Sequence, residues 1–287
     1  MISLVSALAK GLMDSKATHR WNERKIHASD TAVTIDGDDG KCARQFWLRY
    51  YGYDKQEVGP GRQLMFDQGH NLEEKAIEYL REGLPEGYRI VSEQMDISTG
   101  LPDGMGGRLD LLITNGTDYG IIDIKSQRGN SFRYMSDAPK PMHRLQVNTY
   151  AYALREMGIR AKYGGILVVD REGQNFAQDF WWTISNQDLN DIIDAIAELY
   201  LIADYDKPEV LLPKIKINEN KGRNSVVAKV PWQCQYCDYR GVSCEGAIPP
   251  EFDDNLGKVV GHIENQKFFE KVEGISEYIE NYILEEG

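Results

Sequence analysis

Residues 108–126 read RLDLLITNGTDYGIIDIKS and contain the features that decide the fold. Two segments rich in Leu, Ile and Tyr flank the dipeptide Asn115-Gly116, which favours the tight turn of a β-hairpin. We therefore expect strands over residues 108–114 and 119–125, joined by this turn.

The same hairpin contains two aspartates and a lysine, which is unusual for strands that supply a core. Alternate strand residues face one side of a sheet, so Asp123 and Lys125 share a side while Ile122 and Ile124 pack on the other. A single strand aspartate more often faces solvent or forms a surface ion pair. If Asp110 joins Asp123, however, two partly desolvated carboxylates repel each other, and a divalent cation is the usual remedy. The oxygen-only ligand set favours Mg²⁺ or Mn²⁺.

Hydrophobic periodicity along the rest of the chain predicts a mixed α/β fold. The expected helices cover residues 42–51, 64–80, 141–157 and 186–203, and the further expected strands cover residues 89–97, 164–169 and 176–183. The chain divides into a helical N-terminal region (1–83), an α/β core (84–210), a basic and cysteine-containing segment (211–250) and an acidic C-terminal helix (251–287).

The composition is that of a packed globular protein. Of 287 residues, 41% are hydrophobic and 27% charged, far from the range of disordered chains. No apolar run approaches the roughly 20 residues of a transmembrane helix, and the N-terminus lacks the basic start of a secretory signal. We therefore expect a cytoplasmic protein with no membrane association. The net charge is −12, but residues 251–287 alone carry −7, so the remainder is only moderately acidic.

Four cysteines provide a second candidate site. Cys234, Cys237 and Cys244 form a C-x2-C-x6-C pattern, and Cys42 lies far upstream. Alone, Cys42 would be interpreted as a small buried hydrophobic residue. Four thiols in a cytoplasmic chain, however, favour a metal or cluster site over disulfides. Zinc and an iron-sulfur cluster both accept four thiolates.

Three motifs resemble those of RecB-type nucleases. The spacing D-x12-D-x-K from Asp110 to Lys125 resembles the PD-(D/E)xK pattern, with Asp123 as the permitted acidic variant. Gln146 and Tyr150, four residues apart and therefore on one helix face, resemble the Q-x3-Y motif of this family.

The third motif lies in residues 66–80, FDQGHNLEEKAIEYL, which resemble the family's first motif. In that motif a glycine precedes a metal-binding His or Glu by four residues. Gly69 and Glu73 occupy these places, and the adjacent His70 and Glu74 are the alternatives in a shifted register.

Residues 42–51, CARQFWLRYY, resemble the helix that supplies the first cluster ligand in iron-sulfur RecB-type nucleases, such as the AddB nuclease domain and the CRISPR-associated exonucleases. The resemblance implies a restriction-endonuclease-like nuclease core over residues 84–210, with a central mixed β-sheet flanked by helices, and a C-terminal cysteine clasp. It favours a 4Fe-4S cluster at Cys42, Cys234, Cys237 and Cys244 over Zn²⁺.

The resemblance also implies roles for the residues of the hairpin site. Glu73, Asp110, Asp123 and the Ile124 carbonyl would bind Mg²⁺ or Mn²⁺. Lys125 would act with them in catalysis. Gln146 and Tyr150 would position Lys125 or a phosphate.

The implied function is a metal-dependent DNA exonuclease that acts on DNA ends or single strands in recombination, repair, CRISPR adaptation or phage DNA metabolism, with possible protein partners. Two basic stretches are candidates for DNA contact; they contain Arg128, Arg133, Arg144, Lys214, Lys216, Lys221 and Arg223. The alternatives are a restriction-type endonuclease and a non-catalytic nucleic-acid-binding subunit with a structural metal cluster.

Overall fold

The computed structural model describes residues 10, 25–34, 40–132, 135, 137–206, 211, 216–220, 225–229, 232–235, 237–244 and 258–262. The chain divides into two compact units, each built from two separate stretches. Met1–Ala32 and Glu57–Leu201 form the first unit, and Val33–Gln56 and Ile202–Gly287 form the second.

The described residues contain both strands and helices. The strands are β1 (Ile26–His27), β2 (Val33–Thr34), β3 (Lys41–Cys42), β4 (Arg89–Asp96), β5 (Met105–Gly106), β6 (Arg108–Thr114), β7 (Tyr119–Gln127), β8 (Ala161–Asp170), β9 (Ala177–Thr183), β10 (Lys216–Asn220), β11 (Ser225–Lys229) and β12 (Lys258–His262). The α-helices are α1 (Ala43–Tyr50), α2 (Pro60–Gly83), α3 (Gly129–Phe132), α4 (Pro141–Glu156), α5 (Asn186–Ala203) and α6 (Trp232–Gln235). Among these described helices, none combines the length and the apolar character that crossing a bilayer requires.

A five-stranded mixed sheet in the order β4-β6-β7-β8-β9 forms the centre of the first unit. The β7–β8 pair is parallel and the other three pairs are antiparallel. Gly116, in the hairpin loop between β6 and β7, has a φ of +89°. Glycine adopts this backbone conformation at little cost, which explains the turn at Asn115-Gly116. Helix α4 provides the crossover that the parallel pair β7–β8 requires.

Helices α2 and α4 pack on opposite faces of the sheet. Ile77 of α2 joins a buried cluster with Leu111, Ile122 and Ile124, and burying an aliphatic side chain of this size contributes about 1.5–3 kcal/mol. The strand residues that alternate with these face α4. Asp123 is therefore directed away from the aliphatic cluster and toward α4.

The second unit contains a three-stranded antiparallel sheet in the order β10-β11-β12. Helix α1 begins directly after Cys42, whose Sγ accepts a hydrogen bond from the Gln45 N–H at 3.4 Å. The thiol therefore caps the helix.

The mixed sheet flanked by helices confirms the fold class, and β6 and α5 have the expected bounds. Two regions differ from expectation. Residues 25–34 and 41–42 form short strands and a 3-10 turn, not helix. Lys258–His262 is a strand inside the acidic C-terminal segment (251–287), just before the helical periodicity that begins at about residue 262, and its β-branched Val259 and Val260 favour the strand. The rest of the expected C-terminal helix lies outside the described residues.

Candidate active site

Strands β6 and β7 separate where their backbone ladder ends, and the Asp110 carboxylate occupies the gap. Backbone pairing ends at Leu111 and Ile122. Asp110 precedes this pair, and its Oδ2 accepts a hydrogen bond from the Ile124 N–H at 2.7 Å. A side chain thus replaces the backbone acceptor that a longer ladder would supply. The bond holds the Asp110 side chain against β7, which is the strand that carries Asp123.

Asp123 and Lys125 form a largely buried ion pair on β7. The side chains are 1% and 27% exposed, respectively. Lys125 Nζ donates to Asp123 Oδ1 at 3.0 Å and lies 2.8 Å from Oδ2. Oδ2 is buried and accepts no hydrogen bond from the described residues. Oδ2 therefore relies on the charge of the Lys125 ammonium group alone, and it retains lone pairs with which it could ligate a metal cation.

Helix α4 adds an amide and a phenol to the same site. Gln146 Nε2 donates to Asp123 Oδ1 at 3.2 Å, and its Oε1 accepts a hydrogen bond from Lys125 Nζ at 3.3 Å. Gln146 Nε2 also contacts the hydroxyl of Tyr150, which is 3% exposed. Gln146 and Tyr150 are one helical turn apart, so both reach the sheet from one face of α4. Together these contacts hold Asp123 and Lys125 in a fixed relative position.

Glu73 approaches from α2. Its Oε1 accepts a hydrogen bond at 2.7 Å from Nε2 of Gln94 in β4. Its charge acts on Asp110, Asp123 and Lys125. The adjacent alternatives of the first motif, His70 and Glu74, line with Glu73 a pocket of about 610 Å³.

Burial and neighbouring charges disturb the ionisation of these groups. Removal from water raises the pKa of Asp110 well above its usual value, and the charges of Asp123 and Glu73 raise it further. Burial also raises the pKa of Asp123, against the opposing effect of Lys125. Burial would lower the pKa of Lys125, but the charge of Asp123 and their hydrogen bond outweigh it and raise this pKa. Burial raises the pKa of Tyr150, which keeps its hydroxyl neutral. The site therefore destabilises two adjacent carboxylates while keeping its lysine protonated.

The carboxylate oxygens of these residues are the kind of donor atom that binds a divalent cation. The buried Asp123 Oδ2 contacts the Lys125 ammonium group but accepts no well-aligned hydrogen bond among the described residues, and Asp110 and Glu73 add carboxylates whose repulsion a cation would relieve. No three or more His, Cys, Asp or Glu side chains are already arranged to hold an ion in the part of the chain that the structure describes. The carboxylates thus converge without forming a closed ligand shell.

The four cysteines all belong to the second unit, and none forms a disulfide. Burial raises the pKa of Cys42 to about 12, and the charges of Cys234, Cys237 and Cys244 raise it as well. The effect of these three cysteines on Cys42 indicates that Cys42 lies near them. Nevertheless, no three of the described His, Cys, Asp and Glu side chains, the four cysteines included, are arranged to hold a metal ion.

Hydrogen bonds clasp the stretch that follows Cys42 to the C-terminal part of the second unit. Trp47 Nε1 donates to the Tyr205 carbonyl at 3.1 Å, and Gln56 Nε2 donates to the Arg240 carbonyl at 2.7 Å. These contacts join residues of the second unit that are far apart in the chain.

Only two of the seven basic residues expected to contact DNA have described side chains. The Arg128 side chain is 72% exposed and lies 3.8 Å from Glu172. Arg144 is bound to Asp188 at 3.1 Å and stacks over the Trp182 ring. Lys216 lies in β10, and the remaining four, Arg133, Lys214, Lys221 and Arg223, lie outside the described residues.

Sequence reasoning missed one residue of the site, Gln94. Its amide binds Glu73, and its backbone is left-handed, with a φ of +48°. A glutamine within a strand-like segment gives no signal for either property, because Asn, Asp and Gly are the residues that usually mark this conformation.

Comparison with known proteins identifies the family. The profile of the PD-(D/E)XK nuclease superfamily matches residues 30–244, a range that includes the carboxylate and lysine residues of the candidate site and the four cysteines. No curated protein sequence matches significantly.

Among solved structures, the crystal structure of SSO0001 is 15% identical, covers 85% of this chain and 98% of its own, and has a TM-score of 0.48. An alkaline exonuclease (LHK-Exo) from Laribacter hongkongensis is 16% identical over 68% of this chain and 95% of its own, with a TM-score of 0.43. A phage related exonuclease from Haemophilus somnus 129PT is 15% identical, covers 66% of this chain and 96% of its own, and has a TM-score of 0.46.

The TM-scores of these three structures are below 0.5, so the assignment depends on the profile match and on the residues that carry its motif. Nucleases of this superfamily generally use divalent metals such as Mg²⁺. The profile spans the hairpin with Asp110, Asp123 and Lys125, and it ends at Cys244. The chain belongs to the PD-(D/E)XK nuclease superfamily.

Proposed function

We propose that the protein is a Mg²⁺- or Mn²⁺-dependent deoxyribonuclease that acts as an exonuclease on DNA ends or single strands. The observation that carries this proposal is the buried Asp123–Lys125 ion pair beside an Asp110 carboxylate that is fixed to the Ile124 N–H. A purely structural ion pair would not need a second carboxylate against it.

Each residue of the site has a role in this proposal. Glu73, Asp110, Asp123 and the Ile124 carbonyl would hold the divalent ion. Such an ion, when bound, offsets charge on the phosphoryl oxygens and lowers the pKa of a coordinated water. Lys125 orients the attacking water and stabilises negative charge as it develops.

Gln146 acts through its neighbours. Because one amide contacts both Asp123 Oδ1 and Lys125 Nζ, it fixes the distance between the carboxylate and the ammonium group. The neutral hydroxyl of Tyr150 anchors that amide from within α4. We assign both as positioning residues.

DNA binding must occur despite the net charge of −12. Surface charges are screened beyond about 8 Å at physiological salt, so local basic residues are sufficient to bind a phosphate backbone. Of the expected residues with described side chains, Arg128 suits this role better than Arg144, because Arg128 is more exposed and lies farther from its carboxylate partner, at 3.8 Å against 3.1 Å. We keep Arg133, Lys214, Lys216, Lys221 and Arg223 as further candidates, and recombination, repair, CRISPR adaptation or phage DNA metabolism as settings with possible protein partners.

We further propose that Cys42, Cys234, Cys237 and Cys244 bind a 4Fe-4S cluster, with Zn²⁺ as the alternative. The location of all four cysteines in one unit, with Cys234, Cys237 and Cys244 near enough to act on Cys42, supports this assignment. A brown preparation with broad visible absorption would support iron, whereas a colourless protein containing zinc would reject the cluster.

The test of the nuclease is digestion of end-labelled single-stranded DNA with Mn²⁺, followed by analysis of the product ends. We expect stepwise shortening from an end, and a loss of about 10³-fold or more in Lys125→Ala. Lys162→Ala is the matched control, because Lys162 is an exposed lysine paired with Asp118 and lies outside the site. Cleavage of circular single-stranded DNA would instead support an endonuclease. DNA binding without cleavage by the wild-type protein would reject the enzyme.

A further inference from the structure

Two consecutive residues of β4 contact the same side of helix α2. Glu93 pairs with Arg81 at 2.6 Å, and Gln94 donates to Glu73 at 2.7 Å. Glu73, Ile77 and Arg81 follow one another at intervals of four residues, so they share one face of the helix. Neighbouring residues of a regular strand point to opposite sides of the sheet. A regular β4 could therefore not make both contacts.

The backbone of Gln94 accounts for this exception. Its φ of +48° lies in the left-handed region, which is costly for a residue with a side chain. Gln94 lies between the register pairs Glu93↔Leu111 and Met95↔Leu109, which places it across from Asp110 of β6. The left-handed conformation interrupts the alternation at this position and turns the amide toward Glu73 instead of toward the α4 face.

A neutral donor suits this position. Glu73 lines an open pocket and is influenced by the negative charges of Asp110 and Asp123, so without a donor it would turn away from them into the pocket. An arginine or lysine at position 94 would hold Glu73 but also neutralise it and compete with a cation. An amide holds the carboxylate and leaves its charge in place.

We propose that Gln94 is a positioning residue that holds the Glu73 carboxylate toward the Asp110–Asp123 pair, and that its strained backbone is kept for this hydrogen bond. This inference depends on the proposed function, because it takes Glu73 as a ligand of the divalent ion.

The test separates the amide from the backbone strain with two variants. Gln94→Met keeps the side-chain length and the strained backbone but removes the donor. Gln94→Gly removes the donor and also the strain. Calorimetric titration of the full-length protein with Mn²⁺, without DNA, should give an affinity about tenfold or more below wild type in both variants. The Tm of the metal-free protein should instead be lower in Gln94→Met than in Gln94→Gly.

Glu93→Gln is the matched control, since it breaks the neighbouring strand–helix contact, which is exposed and contributes little to stability. It should bind Mn²⁺ as wild type does. Wild-type affinity in Gln94→Gly, or an equal loss of affinity in Glu93→Gln, would overturn the proposal. Because this titration requires no cleavage, an inactive wild-type protein that binds Mn²⁺ would reject the proposed nuclease activity and leave the role of Gln94 testable.

Discussion

Removing one carboxylate from the site should stabilise the metal-free protein while it abolishes activity. Asp110→Asn preserves the shape of the side chain and an oxygen that can accept the Ile124 N–H, but it removes a charge that Asp123 and Glu73 repel. Asp110 and Asp123 directly adjoin the last ladder pair, Leu111↔Ile122. At about the 5 Å that separates directly opposite strand residues, two ionised carboxylates repel each other by about 3 kcal/mol at an effective dielectric constant of 20. Attraction to Lys125 offsets part of this. We expect a net gain of about 1–2 kcal/mol, or a Tm higher by about 2–6 °C.

The assay is thermal unfolding in EDTA at pH 8.5, repeated with saturating Mn²⁺. The folded protein raises the pKa of Asp110, so this group destabilises the wild-type fold at every pH above its pKa in the unfolded chain, about 3.9. The gain in stability of Asp110→Asn should therefore vanish as the pH falls to about 4. Mn²⁺ at 100 times its Kd should stabilise wild type by about 2.7 kcal/mol, and the variant by much less. The control Asp118→Asn removes an exposed ion pair with Lys162 and should not raise the Tm. Lower stability of Asp110→Asn in EDTA would show that the Asp110 charge does not destabilise the metal-free protein, and equal stabilisation of both proteins by Mn²⁺ would exclude Asp110 as a ligand.

The other predictions concern the helix α4, the basic surface and the cysteines. Gln146→Ala should lower the single-turnover cleavage rate by about 10- to 100-fold. Tyr150→Phe should lower it by less, because Gln146 keeps its hydrogen bonds to Asp123 and Lys125 in this variant. Equal losses in the two variants would contradict the view that Tyr150 acts only through Gln146. Arg128→Ala should weaken DNA binding, and titrations at several salt concentrations should give a slope of log affinity against log salt that is smaller by about one. Arg144→Ala should mainly lower the Tm, because Arg144 is bound to Asp188. Cys42→Ser should reduce bound iron or zinc, measured by elemental analysis, and an unchanged metal content would remove Cys42 from the cluster.

The core of the fold could be predicted because its signals are local. Period-two alternation and an Asn-Gly turn identify the β6–β7 hairpin, and period-four apolar residues identify α2, α4 and α5. Lys258–His262 could not be predicted as a strand, because β12 is formed by pairing with β11 and lies next to an acidic sequence with helical periodicity. Strand pairing between distant segments leaves little trace in local sequence.

The candidate site was predictable where side-chain type and spacing carry the chemistry. The spacing of Asp110, Asp123 and Lys125 on a hairpin, and of Gln146 and Tyr150 on a helix, leads directly to the contacts in the structure. Gln94 was not predictable, because its role depends on a left-handed backbone that its residue type does not favour. The ion pair of Arg144 with Asp188 was not predictable either, because the two residues are distant in the chain and meet only in the fold.

The most direct test of a shared cation site is crystallography of the wild-type protein soaked with Mn²⁺, using the anomalous signal of the metal. We expect a peak between the carboxylates of Asp110 and Asp123, within reach of Glu73, with Lys125 beside it. The absence of Mn²⁺ at this position, in crystals that contain the ion elsewhere, would show that these carboxylates do not form a metal site.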